Sequence, residues 1–401
     1  MVGQKWPSEM REFADPKTGR TVKQLTTSSN NYHLYFTENS FDSFKNEIIF
    51  LSDRASGQDK APADWPQYQL FRMDLATGVM TQLTDEPGGV GTATKTPDSS
   101  LIVYTGGREL IAGSRICALD MATGETRTIY EETGAFTVGM PSIASNLPSI
   151  ASNLRYIAFG RNEKVNVPRG PNYSGFKESF YRVKDGRITV AYLDGSRVED
   201  VFLDTHWVGH FQFCPTDPTI ATYCHEGPWN LVNQRIWILD FITRTVKPCF
   251  RQEEQDSIGH EFWTQDGLIF FDNRGPGHDG TITSDRTQAV ATDVAVNEND
   301  MVPFVGLADC NGNILRRIDM PYYCNHYHAN PSHTVLVGDD VDDLVLIDIS
   351  GETATQKTLC YHGTSWHTQS SHCHPTWSWD GTRILYSSDK GGRINVYMVE
   401  P

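Results

Sequence analysis

The sequence predicts an all-β chain closed into one seven-bladed β-propeller. Two observations carry the prediction. A polar turn followed by a short β-rich run recurs seven times, and long helical periodicity is nearly absent from the 401 residues. A ring must also join its first and last blades, and both ends of the chain carry strand-forming runs suited to that.

The repeated units fall at residues 44–50, 98–104, 153–159, 216–222, 266–271, 332–337 and 380–386. Between them lie second strand pairs at 70–78, 116–124, 236–240 and 345–351, each reading strand, turn, strand. Seven units over this length give about 57 residues each, the size of a four-stranded blade with insertions. A pair of β-sandwiches, the alternative, explains seven regular units less well. We therefore expect a single domain, with 1–20 as an N-terminal extension and repeats from about 30 to 401. The run 394–399 needs partners to finish its blade, and 21–26 is the candidate that closes the ring. The heptapeptide Pro-Ser-Ile-Ala-Ser-Asn-Leu stands twice in tandem, at 141–147 and 148–154, and reads as a duplication tolerated in a loop.

Composition narrows the function. The net charge of −16 argues against a nucleic-acid binder, whose affinity would rest on a basic face. It also means that an anionic substrate needs a local cationic site. No run of 18 apolar residues exists, so no membrane span is expected, and the first residues lack a secretory apolar stretch. The eight cysteines include no C-x-x-C pair and are expected to be reduced thiols in the cytoplasm. No G-x-S-x-G elbow, P-loop or dinucleotide motif stands out. The sequence sets no oligomeric state.

Of the 13 histidines, all but His33 lie between residues 206 and 374. Their register is more informative than their number. Counting back six residues from each unit's turn reaches His210, His260, His326 and His374 in units four to seven. In the first three units the same count reaches Glu38, Thr92 and Leu147. In a propeller the strand before that turn should be innermost, so equivalent positions converge at one mouth of the channel. Strand-end capping explains one such histidine; four in register point to a site. Imidazole ligates transition metals, and one left free serves as a base near neutral pH.

Unit seven adds Gln369-x-x-His372-Cys373-His374. On a strand, His372 and His374 would share a face and Cys373 would pack on the other. Gln369 could bring an amide oxygen alongside, and His326 would come from the preceding blade. Three imidazoles and one amide oxygen suit manganese, iron or zinc. His328, His333, His362 and His367 lack the register and are read as structural. Arg235 follows the turn His225-Glu226-Gly-Pro; it is either a surface arginine or a fixed guanidinium that grips a carboxylate.

At these residues the chain resembles the oligogalacturonate lyase family. The motifs that carry the resemblance are His225-Glu-Gly-Pro with Arg235-x-Trp237, Gly259-His-Glu-Phe-Trp263, Cys324-x-His326 with Val337-Gly-Asp339, Thr364-Ser-Trp366, and Gln369-x-x-His372-x-His374-Pro375. They cover roughly the C-terminal half. The resemblance implies a seven-bladed propeller that uses manganese to cleave short pectin fragments by β-elimination in the cytoplasm. It implies His326, Gln369, His372 and His374 as metal ligands, His260 as the base and Arg235 as its catalytic partner. It places His210 near the substrate, and His225 is assigned with it to substrate binding. Cys373 stands where the family usually carries a proline.

The implied chemistry agrees with the residues. Cleavage of a uronate by elimination removes the C5 proton, alpha to a carboxylate. A divalent cation and Arg235 would stabilise the enolate-like charge, and an unligated His260 would take the proton. Two other classes are open to the same sequence. One is a non-catalytic propeller scaffold binding a protein partner, which predicts no metal requirement. The other is a lyase for another uronate oligomer.

Overall fold

The computed structural model describes residues 1–57, 59–64, 66–107, 114–145, 155–170, 173–275, 302–321 and 323–401. The chain opens with β1 (Lys5–Trp6), β2 (Arg11–Ala14) and β3 (Thr21–Gln24). Blade one follows as β4 (Asn31–His33), β5 (Glu47–Ser52), β6 (Gln69–Asp74) and β7 (Met80–Gln82). Blade two is β8 (Val90–Lys95), β9 (Leu101–Gly106), β10 (Arg115–Asp120) and β11 (Thr126–Glu131). Blade three is β12 (Phe136–Ile143), β13 (Tyr156–Glu163), β14 (Gly186–Tyr192) and β15 (Val198–Asp204), with α1 (Phe176–Arg182) between β13 and β14. Blade four is β16 (Val208–Phe213), β17 (Ile220–His225), β18 (Ile236–Asp240) and β19 (Thr245–Pro248). Blade five is β20 (Ile258–Trp263), β21 (Ile269–Asn273), β22 (Phe304–Ala308) and β23 (Ile314–Asp319). Blade six is β24 (Tyr327–Ala329), β25 (Val335–Asp339), β26 (Asp343–Asp348) and β27 (Thr355–Tyr361). Blade seven is β28 (Thr376–Trp377), β29 (Ile384–Ser388) and β30 (Asn395–Val399).

Each blade is an antiparallel meander, as the sequence predicted, with its first strand innermost. The second strands read as continuous apolar runs because both their faces are buried. In β5, Ile48 and Phe50 pack toward blade seven, while Ile49 and Leu51 pack toward blade two. In β9, Ile102 and Tyr104 face blade one, and Leu101 and Val103 face blade three. The core is therefore divided into seven apolar seams, one between each pair of neighbouring blades.

The hairpins between third and fourth strands have a polar cause. Asp74 Oδ1 accepts from the N–H groups of Ala76 and Thr77, and Gly78 takes a φ of 72°. Asp120 and Gly124 repeat the arrangement in blade two.

The ring closes where the sequence placed the closure. β3 pairs with β30, joining Val22 to Val399 and Gln24 to Tyr397. Residues 1–20, expected as an extension, supply two further edge strands: β1 pairs with β7, and β2 pairs with β3. They cover edges that would otherwise stand open.

The inner strands of blades two, three and five break register at a Gly-x pair, Gly91-Thr92, Gly139-Met140 and Gly259-His260, and that of blade four breaks at His210-Phe211, directly after Gly209. These are β-bulges, which re-aim a side chain. Leu147, the sequence-derived position for blade three, lies outside the described residues. The bulge instead falls at Met140, seven residues earlier, which is the length of the duplicated heptapeptide. The extra copy had shifted the count.

Blade one carries a larger departure. β4 pairs with β5 as far as His33 and Phe50, and pairing resumes at Phe41 and Ile48. Residues 34–39 leave the sheet and carry Tyr35 and Phe36 beneath the histidines. Glu38 therefore lies in this excursion, not at the start of a strand.

Candidate active site

Glycine at the bulges lets a partner strand come close. A Cβ on Gly259 would stand 2.4 Å from Asp272 Oδ2 and 2.5 Å from the Trp229 ring. One on Gly209 would stand 2.5 Å from Glu226 Cγ. Asp272 Oδ1 accepts the His260 backbone N–H at 2.7 Å, and Asp339 Oδ1 accepts that of His326 at 2.6 Å. The backbone of each histidine is thus gripped from the next strand of its blade.

All four histidines in register meet. Ring centroids are 6.0 Å apart for His210–His260, 4.5 Å for His260–His326 and 4.4 Å for His326–His374. Phe36 forms their floor, 5.7 Å from His260, 5.6 Å from His326 and 6.0 Å from His374. His372 joins at 5.5 Å from His374. The sequence put His372 and His374 on one extended strand. They instead follow a 3-10 turn at Gln369–Ser371, and His374 has a left-handed φ of 46°. That turn brings their rings together. Cys373 is fully buried in the seam between blades six and seven.

The residues fit a divalent cation. Ligand nitrogens of His326, His372 and His374 lie within 4.8 Å of one another. His326 Nε2 and His372 Nδ1 are buried with no hydrogen-bond partner. Converging lone pairs without a donor are unfavourable in a dry site unless a cation joins them. His326 Nδ1 lies 2.8 Å from Asp339 Oδ2; donation to that carboxylate leaves Nε2 as the free lone pair. The Gln369 amide lies 3.4 Å from His374 Nε2, and turning it end for end presents its oxygen there. Burial pushes His326 and His374 well below the usual imidazole range and His372 down to about 3, so all three imidazoles are neutral, the form that could ligate a cation.

His260 stands beside this set without belonging to it. Its Nδ1 is buried and has no hydrogen-bond partner. Burial, then the neighbouring His326, His210 and Arg235, hold it well below its ordinary value. It is a neutral imidazole with an available lone pair.

Arg235 is buried and fixed. Nε donates to Gly259 O at 2.7 Å, Nη1 to His225 O at 3.3 Å, and Nη2 lies 3.5 Å from Glu226 Oε1. Burial opposes its charge, but Cys224, Glu226 and Glu261 raise its pKa nonetheless. His210 lies between two carboxylates, with Nε2 3.2 Å from Glu226 and Nδ1 3.4 Å from Glu261. Burial works against its protonation, yet Glu261 and Glu226 carry its pKa above the usual value. Against the upward push of burial, Arg235 and His210 hold Glu226 below its own.

His225 is the assigned residue whose ring stays apart. Its Nε2 lies 2.8 Å from Asp204 Oδ2, its Nδ1 receives Trp237 Nε1–H at 3.3 Å, and its face stacks on His206 at 4.2 Å. Its backbone carbonyl, by accepting from Arg235, is what reaches the site.

A family model for oligogalacturonate lyase matches residues 1–401. The chain belongs to the oligogalacturonate lyase family. Two relatives align over nearly their whole length: the oligogalacturonide lyase of Pectobacterium atrosepticum and the oligogalacturonate lyase of Dickeya dadantii. Each is 23% identical and covers 99% of this chain and 97% of the relative. Among solved structures, an oligogalacturonate lyase in complex with manganese superposes with a TM-score of 0.80 at 21% identity, covering 100% of this chain and 98% of that one. An oligogalacturonate lyase from Vibrio parahaemolyticus gives 0.78 at 20%, with the same coverage. These likenesses show the same fold.

Sequence reasoning missed much of what holds this family member's site together. Glu261, Asp272 and Phe36 had no assigned role. Glu261 follows His260 directly and is fully buried, an unusual place for a carboxylate, and its place in the motif Gly259-His-Glu-Phe-Trp263 was the available signal. Phe36 offered none, because the excursion that carries it inward shows only in three dimensions.

Proposed function

We propose that the chain cleaves short oligogalacturonides, such as digalacturonate, by β-elimination, with a manganese ion held by His326, Gln369, His372 and His374. One observation carries the reading: three neutral imidazoles aim at one point while a fourth, His260, keeps a free lone pair beside them and the buried Arg235. Membership of the lyase family supports it.

When bound, the cation supplies positive charge beside the substrate carboxylate, which acidifies the neighbouring C5–H. Arg235 faces the same carboxylate with a guanidinium that needs no reorganisation, since Gly259, His225 and Glu226 already hold it. His260 takes the C5 proton. The C–H electron pair forms the C4–C5 double bond, and the C4–O bond breaks with its pair leaving on oxygen. No water is consumed, and the product is a 4,5-unsaturated uronate. His210, whose two flanking carboxylates favour its protonated form, lies 6.0 Å from the base and is assigned to substrate binding, and His225 contributes there through its carbonyl. The negative charge of the chain is no obstacle, because the cationic groups are local to the mouth.

No helix among the described residues is long and apolar enough to cross a membrane. The eight unpaired cysteines suit a reducing compartment, and we place the reaction in the cytoplasm.

Ultraviolet absorbance of the conjugated product tests the reading directly. Digalacturonate with manganese should give a steady rise that chelation abolishes and added manganese restores. Full activity in excess chelator, with no metal in the protein, would overturn the metal's role. No product under any metal would overturn the lyase assignment.

A further inference from the structure

We propose that the segment joining β13 to β14 carries a second uronate subsite, in which the Arg169 guanidinium takes the carboxylate of the sugar across the scissile bond. The inference rests on the lyase reading above and deepens it.

The described residues of the segment, 164–170 and 173–185, are tied together as a fixed arch. Gly175 takes a φ of 78° where a Cβ would stand 2.2 Å from Pro168 O, so its two arms close tightly. Ser179 Oγ donates to Gly175 O at 2.8 Å, and Arg182 Nη1 donates to Asn166 O at 2.9 Å. Phe180 presses on Gly227, where a Cβ would meet its ring at 2.3 Å. Gly227 directly follows Glu226, so the arch docks on the turn that carries the carboxylate beside His210 and Arg235. At its other side the Tyr173 ring lies 6.2 Å from that of His372. The segment therefore spans from the metal ligands of blade seven to the Arg235 corner of blade four.

Arg169 sits on this arch with its guanidinium 4.6 Å over the Trp207 ring. Trp207 is braced by Phe176 at 5.4 Å, and its carbonyl accepts the Glu226 N–H at 2.8 Å. A guanidinium stacked by its face keeps its edge donors for a planar anion. Among the described residues Arg169 has no hydrogen bond and no carboxylate within ion-pair distance, although the chain carries 50 acidic residues. Burial pushes its pKa down, with Glu226 partly opposing, so the charge is poorly solvated as well as unpaired. An oligouronate brings one carboxylate per sugar. The first is met by Arg235 and the cation site, and the second needs a cation of its own at the same mouth. Arg169 is that cation.

A cycle that changes enzyme and substrate together tests this. Arg169→Ala should lose about 10- to 100-fold in kcat/KM on digalacturonate, mostly through KM, with metal content and melting temperature unchanged. Digalacturonate methyl-esterified on the sugar across the scissile bond should cost the wild type a similar factor and cost the variant nothing further. Arg169→Lys, which keeps the charge without the fork, should recover part of the loss. Losses that multiply independently, or an unchanged KM in Arg169→Ala, would overturn the subsite. If the wild type forms no product, the lyase reading has failed on its own. The subsite is then decided by calorimetry with saturated digalacturonate and manganese, where equal affinity of wild type and Arg169→Ala would overturn it.

Discussion

Asp339 holds His326 with both carboxylate oxygens, Oδ1 on the backbone N–H at 2.6 Å and Oδ2 on ring Nδ1 at 2.8 Å. Both residues are fully buried, so backbone position and ring orientation are fixed by one side chain. Asp339→Asn keeps the shape but removes one acceptor. We expect manganese affinity to fall about 10- to 100-fold, measured by competition against a chromophoric chelator. Unchanged affinity would show that packing alone orients the ring.

His260→Ala should remove most turnover and leave the metal in place. Loss of a general base costs about 100- to 10,000-fold in rate. Metal stoichiometry and initial rate must be read on the same preparation. A variant that loses its metal makes His260 a ligand, and one that keeps both metal and rate puts the base elsewhere.

Gly259→Ala tests whether the bulge aims the base. The added methyl meets Asp272 and the Trp229 ring, so the strand must shift. Such overpacking costs about 1–3 kcal/mol, and His260 moves with it. We expect a lower melting temperature, reduced turnover and full metal content. Wild-type rate and stability together would refute the close fit.

Deleting residues 1–30 should destabilise the whole ring, not fray one end. The segment supplies β3 to the last blade, and Asp15 Oδ2 accepts the Tyr361 N–H of blade six at 2.8 Å. A truncated chain with the same melting temperature would show that the ring holds without its clasp.

His362 makes the fold acid-sensitive. It is buried, with Nε2 2.8 Å from Asp340 O and Nδ1 accepting from Thr364 N at 3.2 Å. Burial lowers its pKa to about 4, while the unfolded group titrates near 6.5. The unfolded state therefore binds the extra proton between those values. The stability this group carries is complete above pH ~6.5 and declines as pH falls toward ~4, on the order of 3 kcal/mol in all. In urea unfolding, His362→Gln should flatten the dependence of stability on pH in that window. An unchanged slope would sink the idea.

Much of this protein was legible in one dimension because two of its periodicities are local. The apolar runs of the second strands repeat because each lies between two blades, so 48–51 and 101–104 announce the architecture directly. The histidine register survives in sequence because positions 210, 260, 326 and 374 of blades four to seven stand at a constant distance from their turns. That constancy is also where the reading slipped: the duplicated heptapeptide moved the blade-three position from Met140 to Leu147.

What only the tertiary structure decided is how the side chains are aimed and how they are charged. The left-handed turn at His374 sets its ring against His326, and no alternation rule along a strand supplies it. His210 is pushed toward its charged form against its burial because Glu261 and Glu226 flank it, and His260 is held neutral because burial and cationic neighbours surround it. The ring of His225 turns to Asp204 of the neighbouring blade, a contact 21 residues away in sequence. The sequence by itself determined which residue types stand at which blade positions. Their protonation and direction depend on groups brought close by the closed ring, and the energy of a buried charge is set by those neighbours.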